Sequence, residues 1–230
     1  MSFGWCVREK QLDLEKLGGL FQGMGPEILL VFGVMAAGVA IYWIILKYSA
    51  EKIATQHQLL AERFGLELDL PPARMRGFVR PEPTVYGKYR GREVSFSVPG
   101  KGFKNTRQIE SLLKMELRDR SLTAQLVTTG LLGGLRQRDS GGQARWKSGD
   151  EAFDKAVDVR SNQGATLTDV LTAERRAWLA STLKHSKAMI YIGGGTIAYA
   201  KLGLIADDAT RENFEAVVEF LCDLAEAIEV

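Results

Sequence analysis

The chain has 230 residues, 46% of them hydrophobic, with 30 lysines and arginines against 28 aspartates and glutamates for a formal charge of +2. That composition excludes a disordered chain and fits a globular protein with an anchor, while the near-neutral total says little about partners. Two cysteines, Cys6 and Cys222, with no CxxC spacing, exclude a disulfide-stapled secreted domain and point to a reducing compartment for the large domain.

Residues 1–25 form a short head. Leu14, Leu17, Leu20, Phe21 and Met24 recur at helical spacing, which predicts an amphipathic helix on the membrane surface, weakened by Gly18, Gly19, Gly23 and Gly25. The run Ile28 to Leu46, ILLVFGVMAAGVAIYWIIL, is 19 residues without a charge. At roughly 1.5 Å per residue it spans the ~30 Å core of a bilayer. Tyr42, Trp43, Lys47 and Tyr48 at its far end make an aromatic and cationic belt. The run starts late and is too long for the hydrophobic region of a signal peptide, so it reads as a retained single-pass anchor.

Lys47 and Lys52 follow the span closely, whereas Arg8, Lys10 and Lys16 lie farther from it. The positive-inside rule then places the C-terminal domain in the cytoplasm, behind a span in the cell inner membrane. Gly33 with Ala37, and Ala36 with Ala40, have the small-xxx-small spacing that packs spans together in homo-oligomers, but it is also ordinary usage in membrane helices.

No Pro or Gly follows until Gly65, so one helix is expected from about Glu27 to Phe64, its second half serving as a stalk. Residues 26–64 are therefore read as span and stalk, 65–80 as a linker around Pro71-Pro72, and 81–230 as a globular domain. Val85–Tyr89 and Glu93–Val98 flank Arg90-Gly91-Arg92 as a hairpin. A second strand pair is expected at 116–119 and 121–129, although 109–117 also passes as a helix. Residues 130–147 read as a long exposed loop, and Phe153–Arg160 as one half-buried strand. Thr172 is expected to cap a helix to about Lys184, with Trp178, Leu179 and Leu183 turned inward.

Runs at 188–192 and 196–202 flank Gly193-Gly194-Gly195. Lacking a P-loop's Lys-Ser/Thr and a following helix, the triplet predicts a hairpin turn, not a phosphate site. In the last segment Phe214, Val217, Val218, Leu221, Ala225 and Ile228 share one helical face, with Asp207 and Asp208 at its start. These elements predict an α+β fold: a membrane helix and stalk, then an antiparallel sheet covered by two helices.

Two carboxylates, Asp150 and Asp154, lie four residues apart in GDEAFD, where they can hold a cation or share acid–base work in a membrane-anchored enzyme. The competing reading has Asp150 turning the chain and Asp154 capping backbone amides, since no further ligand lies nearby. The string GDEAFDKAVDV, followed by TDVLTAERRAWLASTL and a hairpin, resembles uncharacterised bacterial membrane-anchored proteins with a GDxxFD-type segment ahead of an LLT…R helix. The resemblance covers roughly residues 60–225. It implies an α+β domain of unknown function and carries no activity or site residue.

His57 and His185 stand apart from each other and from the cysteines, so neither a zinc spacing nor a cofactor motif is present, and no nucleophile has a recognisable setting. The reading is of a binding or scaffolding module, with a membrane-anchored enzyme using a carboxylate site at Asp150 and Asp154 as the alternative. Charge placement is the main functional signal. Nine basic residues between Arg74 and Arg107 face only Glu82 and Glu93, and eight acids from Asp207 to Glu229 face only Arg211.

Lys47, Lys52, Arg74, Arg76 and Arg80 are expected to meet anionic lipid, each worth about 1 kcal/mol near the surface. Glu212, Glu215, Glu219, Asp223 and Glu226 are expected to meet a protein partner or membrane complex. Tyr86, Tyr89, Phe96 and Phe103 interleave with the basic residues, but alternating strand aromatics usually belong to a core and the acidic helix repels nucleic acid, so nucleic acid is not expected.

Overall fold

The computed structural model describes residues 25–73, 81–99, 109–129 and 143–230. The expected N-terminal amphipathic helix and most of the 130–147 loop lie outside those residues. The chain divides into two units at Tyr48/Ser49. Helix α1 runs from Pro26 to Phe64. In the first unit its apolar side chains are bare: Leu30 is 67% exposed, Val34 65% and Met35 62%. Among the described residues this is the one helix long and apolar enough to cross a membrane, and bare leucines and valines all round a helix are what lipid would cover.

In the second unit, Ile53, Leu60, Ala61 and Phe64 are buried, with His57 at 1% exposure. This face is thus a core face, and this part of α1 belongs to the domain instead of standing free as a stalk. The sequence places the edge of the globular part at 65–80; burial moves it back to Ser49. His57 Nδ1 bonds the Ile53 carbonyl at 2.8 Å, which satisfies one ring nitrogen in the core. Gly65, at φ +63°, ends the helix, and the Leu66 N–H donates to Ala61 O at 2.9 Å, closing a Schellman turn.

The strands are β1 (Glu67–Asp69), β2 (Thr84–Tyr89), β3 (Arg92–Ser97), β4 (Glu110–Glu116), β5 (Ala124–Thr128) and β6 (Ala144–Trp146). Helix α2 (Glu151–Ala156), β7 (Val157–Ser161), α3 (Gly164–Val170), α4 (Ala173–Ser186), β8 (Met189–Gly193), β9 (Thr196–Leu202) and α5 (Asp208–Ile228) follow. The described strands form one sheet in the order β1-β2-β3-β4-β9-β8-β5-β7-β6, each ladder antiparallel. The expected α+β architecture stands.

Both predicted hairpins form. Arg90-Gly91 and Gly194-Gly195 each have two residues at positive φ (47° and 76°; 62° and 78°), the requirement of a two-residue turn that follows the twist of its strands. Two expectations fail. Residues 116–119 and 121–129 do not pair with each other; β4 lies between β3 and β9, and β5 between β7 and β8. Phe153–Arg160 is not one strand, because Asp150 caps a short helix that ends at Ala156 before β7 begins.

One face of the sheet meets the helices. Phe96 and Tyr199 set their rings edge-on to Phe214 of α5 at 6.2 and 5.3 Å. Leu179 and Leu183 of α4 are fully buried, as expected, while Trp178 stays partly exposed and stacks on Phe220 at 4.0 Å. Alternate positions on the opposite face bring Leu112, Val127, Met189, Ala198 and Ala200 into a second buried cluster.

Candidate functional site

The basic and acidic stretches singled out in the sequence meet inside the domain. The β2–β3 turn carries Arg90 to the last turns of α5, where Nη1 binds Asp223 Oδ1 and Nη2 binds Glu219 Oε2, each at 2.8 Å. Tyr89 donates its hydroxyl to Glu219 Oε1 at 2.8 Å. Arg92, 8% exposed at its side chain, grips both oxygens of Glu229 at 2.7 Å, and the Arg118 N–H donates to the same carboxylate at 2.7 Å. The Arg92 hydrogen bonds, aided by the Arg118 N–H, hold the Glu229 carboxyl below its ordinary range despite its desolvation. A two-pronged, largely buried contact of this kind is strong, unlike a surface ion pair.

The acids expected to meet a partner are therefore divided. Glu219 and Asp223 are held by Arg90, and Glu215 by Arg211. Arg211 also reaches Glu212 at 3.4 Å and, through Gln56, ties α1 to the start of α5. Glu212 and Glu226 remain exposed on the outer side of α5. Among the expected lipid contacts, Lys47 and Lys52 are exposed, with Lys47 lying 5.9 Å from the Trp43 ring centre. Arg74, Arg76 and Arg80 lie outside the described residues.

Asp150 and Asp154 are both engaged locally. Asp150 Oδ1 accepts from the Ala152 and Phe153 N–H groups, and its Oδ2 lies 3.8 Å from Arg176 Nε. Asp154 Oδ1 accepts from the Ser148 N–H at 3.0 Å and its hydroxyl at 2.9 Å. Burial pushes the Asp154 carboxyl up, but the bonds from Ser148 outweigh it and hold the group below its ordinary value. These contacts are what the capping reading of GDEAFD expects. No cluster of three metal-ligating side chains occurs among the described residues. Burial pushes the Cys222 thiol up to about 11, which leaves it unreactive as a nucleophile.

The concave feature that sequence reading missed lies on the sheet face turned away from the helices. It is an open groove of about 590 Å³ over β2, β3, β4 and the start of β9. Strand register builds it. Tyr86 stands opposite Ser95, and Ser95 opposite Lys114, making one row. In the next row Lys88 faces Glu93, the Glu93 N–H donates to Glu116 Oε2 at 3.3 Å, and Glu116 faces Thr196. Arg120 closes the end beside the Gly194-Gly195 turn. A side chain on Gly195 would meet Arg120 Cγ and the Leu117 carbonyl, each at 3.2 Å. Lys88, Lys114 and Arg120 make no ion pair among the described residues, so the groove presents cations and carboxylates side by side. The one available signal was outward alternation of polar residues on strands, which any solvated sheet shows.

No family model matches the chain, and no curated protein matches it. Among solved structures it is similar to the mycobacterial trehalose monomycolate transport factor A, TtfA. The TM-score is 0.52 at 10% identity, over 76% of this chain and 94% of that one. At that identity the likeness is one of fold.

Proposed function

We propose that this chain is a single-pass, membrane-anchored accessory module whose α+β domain docks a protein partner in a transport assembly of the inner membrane. The observation that supports it most is the combination of one apolar, uncovered helix with a domain fold that TtfA, a transport factor by its name, shares over 94% of its own chain. Nothing among the described residues gathers nucleophile, base and orienting group in one place, which favours docking over catalysis.

In this reading the partner meets the outer side of α5, where Glu212 and Glu226 lead, while Glu215, Glu219 and Asp223, held by Arg211 and Arg90, add negative charge beside them. Full-length protein purified in mild detergent from its own cells is expected to carry a membrane partner with it, and Glu212→Lys with Glu226→Lys is expected to release that partner. Recovery of the chain alone from the wild type, by quantitative mass spectrometry, sinks the proposal.

Orientation rests on Lys47, Lys52, Arg74, Arg76 and Arg80 meeting anionic head groups of the inner leaflet, at about 1 kcal/mol each. Reversing Arg74, Arg76 and Arg80 to Glu is expected to weaken binding of residues 49–230 to anionic liposomes at low salt. Unchanged binding removes that assignment.

A further inference from the structure

We infer that the groove over β2, β3, β4 and β9 is a binding site for a neutral polyhydroxylated ring, a sugar or the sugar head of a glycolipid. Its charges narrow the ligand class. A simple anion placed among Lys88, Lys114 and Arg120 would also face Glu93 and Glu116, and a simple cation would face the three bases. An apolar ligand would strip water from all five charged groups with nothing in return. A hydroxyl both donates and accepts, so a ring carrying several of them uses the ammonium and guanidinium donors and the carboxylate acceptors together. Hydrogen bonds to charged groups are the stronger kind.

Two further features fit the same ligand. Tyr86 is 44% exposed at the rim. Across the strand pair Tyr86 stands opposite Glu67, whose negative charge pushes the Tyr86 phenol's pKa up. The exposed ring offers a flat apolar surface for the C–H face of a sugar. At the other end, bare Gly195 leaves the room in which the Arg120 stem lies. The volume of about 590 Å³ suits a small-molecule site. This inference does not depend on the docking reading, since a ligand can be titrated with no partner present.

The test uses the full chain in a detergent without a sugar head, read by saturation-transfer NMR with trehalose, maltose and inorganic phosphate as separate probes. Saturable transfer to a disaccharide is expected. Glu116→Gln and Arg120→Ala, both on exposed side chains, are each expected to weaken it about tenfold or more. Tyr86→Ala is expected to weaken it while Tyr86→Phe retains it, which separates a ring platform from a hydroxyl contact.

Lys184→Ala, outside the groove, is expected to change nothing. Adding a monoglucosyl diacylglycerol to the micelles distinguishes the sources: loss of the free-sugar signal identifies a lipid head, an unchanged signal a free sugar, and either supports the site. No saturable transfer from any sugar, transfer indifferent to both groove variants, or a preference for phosphate overturns it.

Discussion

A fragment of residues 66–230 is expected to fail to fold, whereas residues 49–230 fold with a cooperative melt. The two differ by the second half of α1, which on sequence grounds alone is a dispensable stalk. In the structure Leu60 is fully buried, Ile53 and Phe64 are 5% and 6% exposed, and the Phe64 ring meets Tyr89 edge-on at 4.9 Å. Burying an aliphatic or aromatic side chain of this size contributes about 1.5–3 kcal/mol. Losing three of them, with Ala61 and the Gln56 contacts to Asp208 and Arg211, takes away much of a typical total of about 5–15 kcal/mol. Thermal circular dichroism decides it, and a cooperative melt of 66–230 within a few degrees of the longer fragment refutes the assignment. Leu60→Ala in the full chain tests the same face more gently, with an expected cost of about 2–5 kcal/mol.

Arg92→Ala is expected to cost about 3 kcal/mol, because it strands Glu229 in a largely buried position with only the Arg118 N–H to answer it. Replacing both partners, as in Arg92→Met with Glu229→Leu, is expected to recover most of the loss, since the desolvation of the pair disappears with it. The pair also gives stability a pH dependence. The folded carboxyl of Glu229 titrates below its ordinary 4.5, so the unfolded chain binds the proton more readily. Its stabilisation is complete above about pH 4.5 and is lost as pH falls through the lower folded value. Denaturant melts between pH 3 and 6 are expected to show this slope in the wild type and a shallower one in Arg92→Ala; parallel slopes contradict the pairing.

How far the sequence reveals this fold depends on whether each signal is local. Both hairpins were legible because Arg90-Gly91 and Gly194-Gly195 supply positive φ within two residues. Helix α5 was legible because its apolar positions keep a 3.6-residue period to the end. Strand β4 was ambiguous for a physical reason: Leu112 and Leu113 are both buried, on opposite faces, so the alternation that marks a strand is absent. Phe153 misled in another way, since it reaches the core from a six-residue helix and then hands over to Val157 and Val159 of a strand. A period cannot be read from so few residues.

The charged elements show the same division. A basic stretch and an acidic helix were visible, but nothing local says that Arg92 belongs to Glu229 in a different part of the chain. The groove is harder still. Tyr86, Glu93, Lys114 and Glu116 are unremarkable surface positions one at a time, and only the pairing of β2, β3 and β4 sets them in adjacent rows.

The junction between β4 and β9 has a consequence for how the protein is made. Strands β1 to β4 pair with their sequence neighbours and can assemble as they leave the ribosome, but the free edge of β4 waits for β9, since Glu110 pairs with Leu202 and Glu116 with Thr196. During that interval an open strand edge bearing Leu112, Leu113 and Met115 is available to other nascent chains. Because the apolar stretch of α1 is synthesised earlier still, its capture by a bilayer would come before the second half of the sheet is completed.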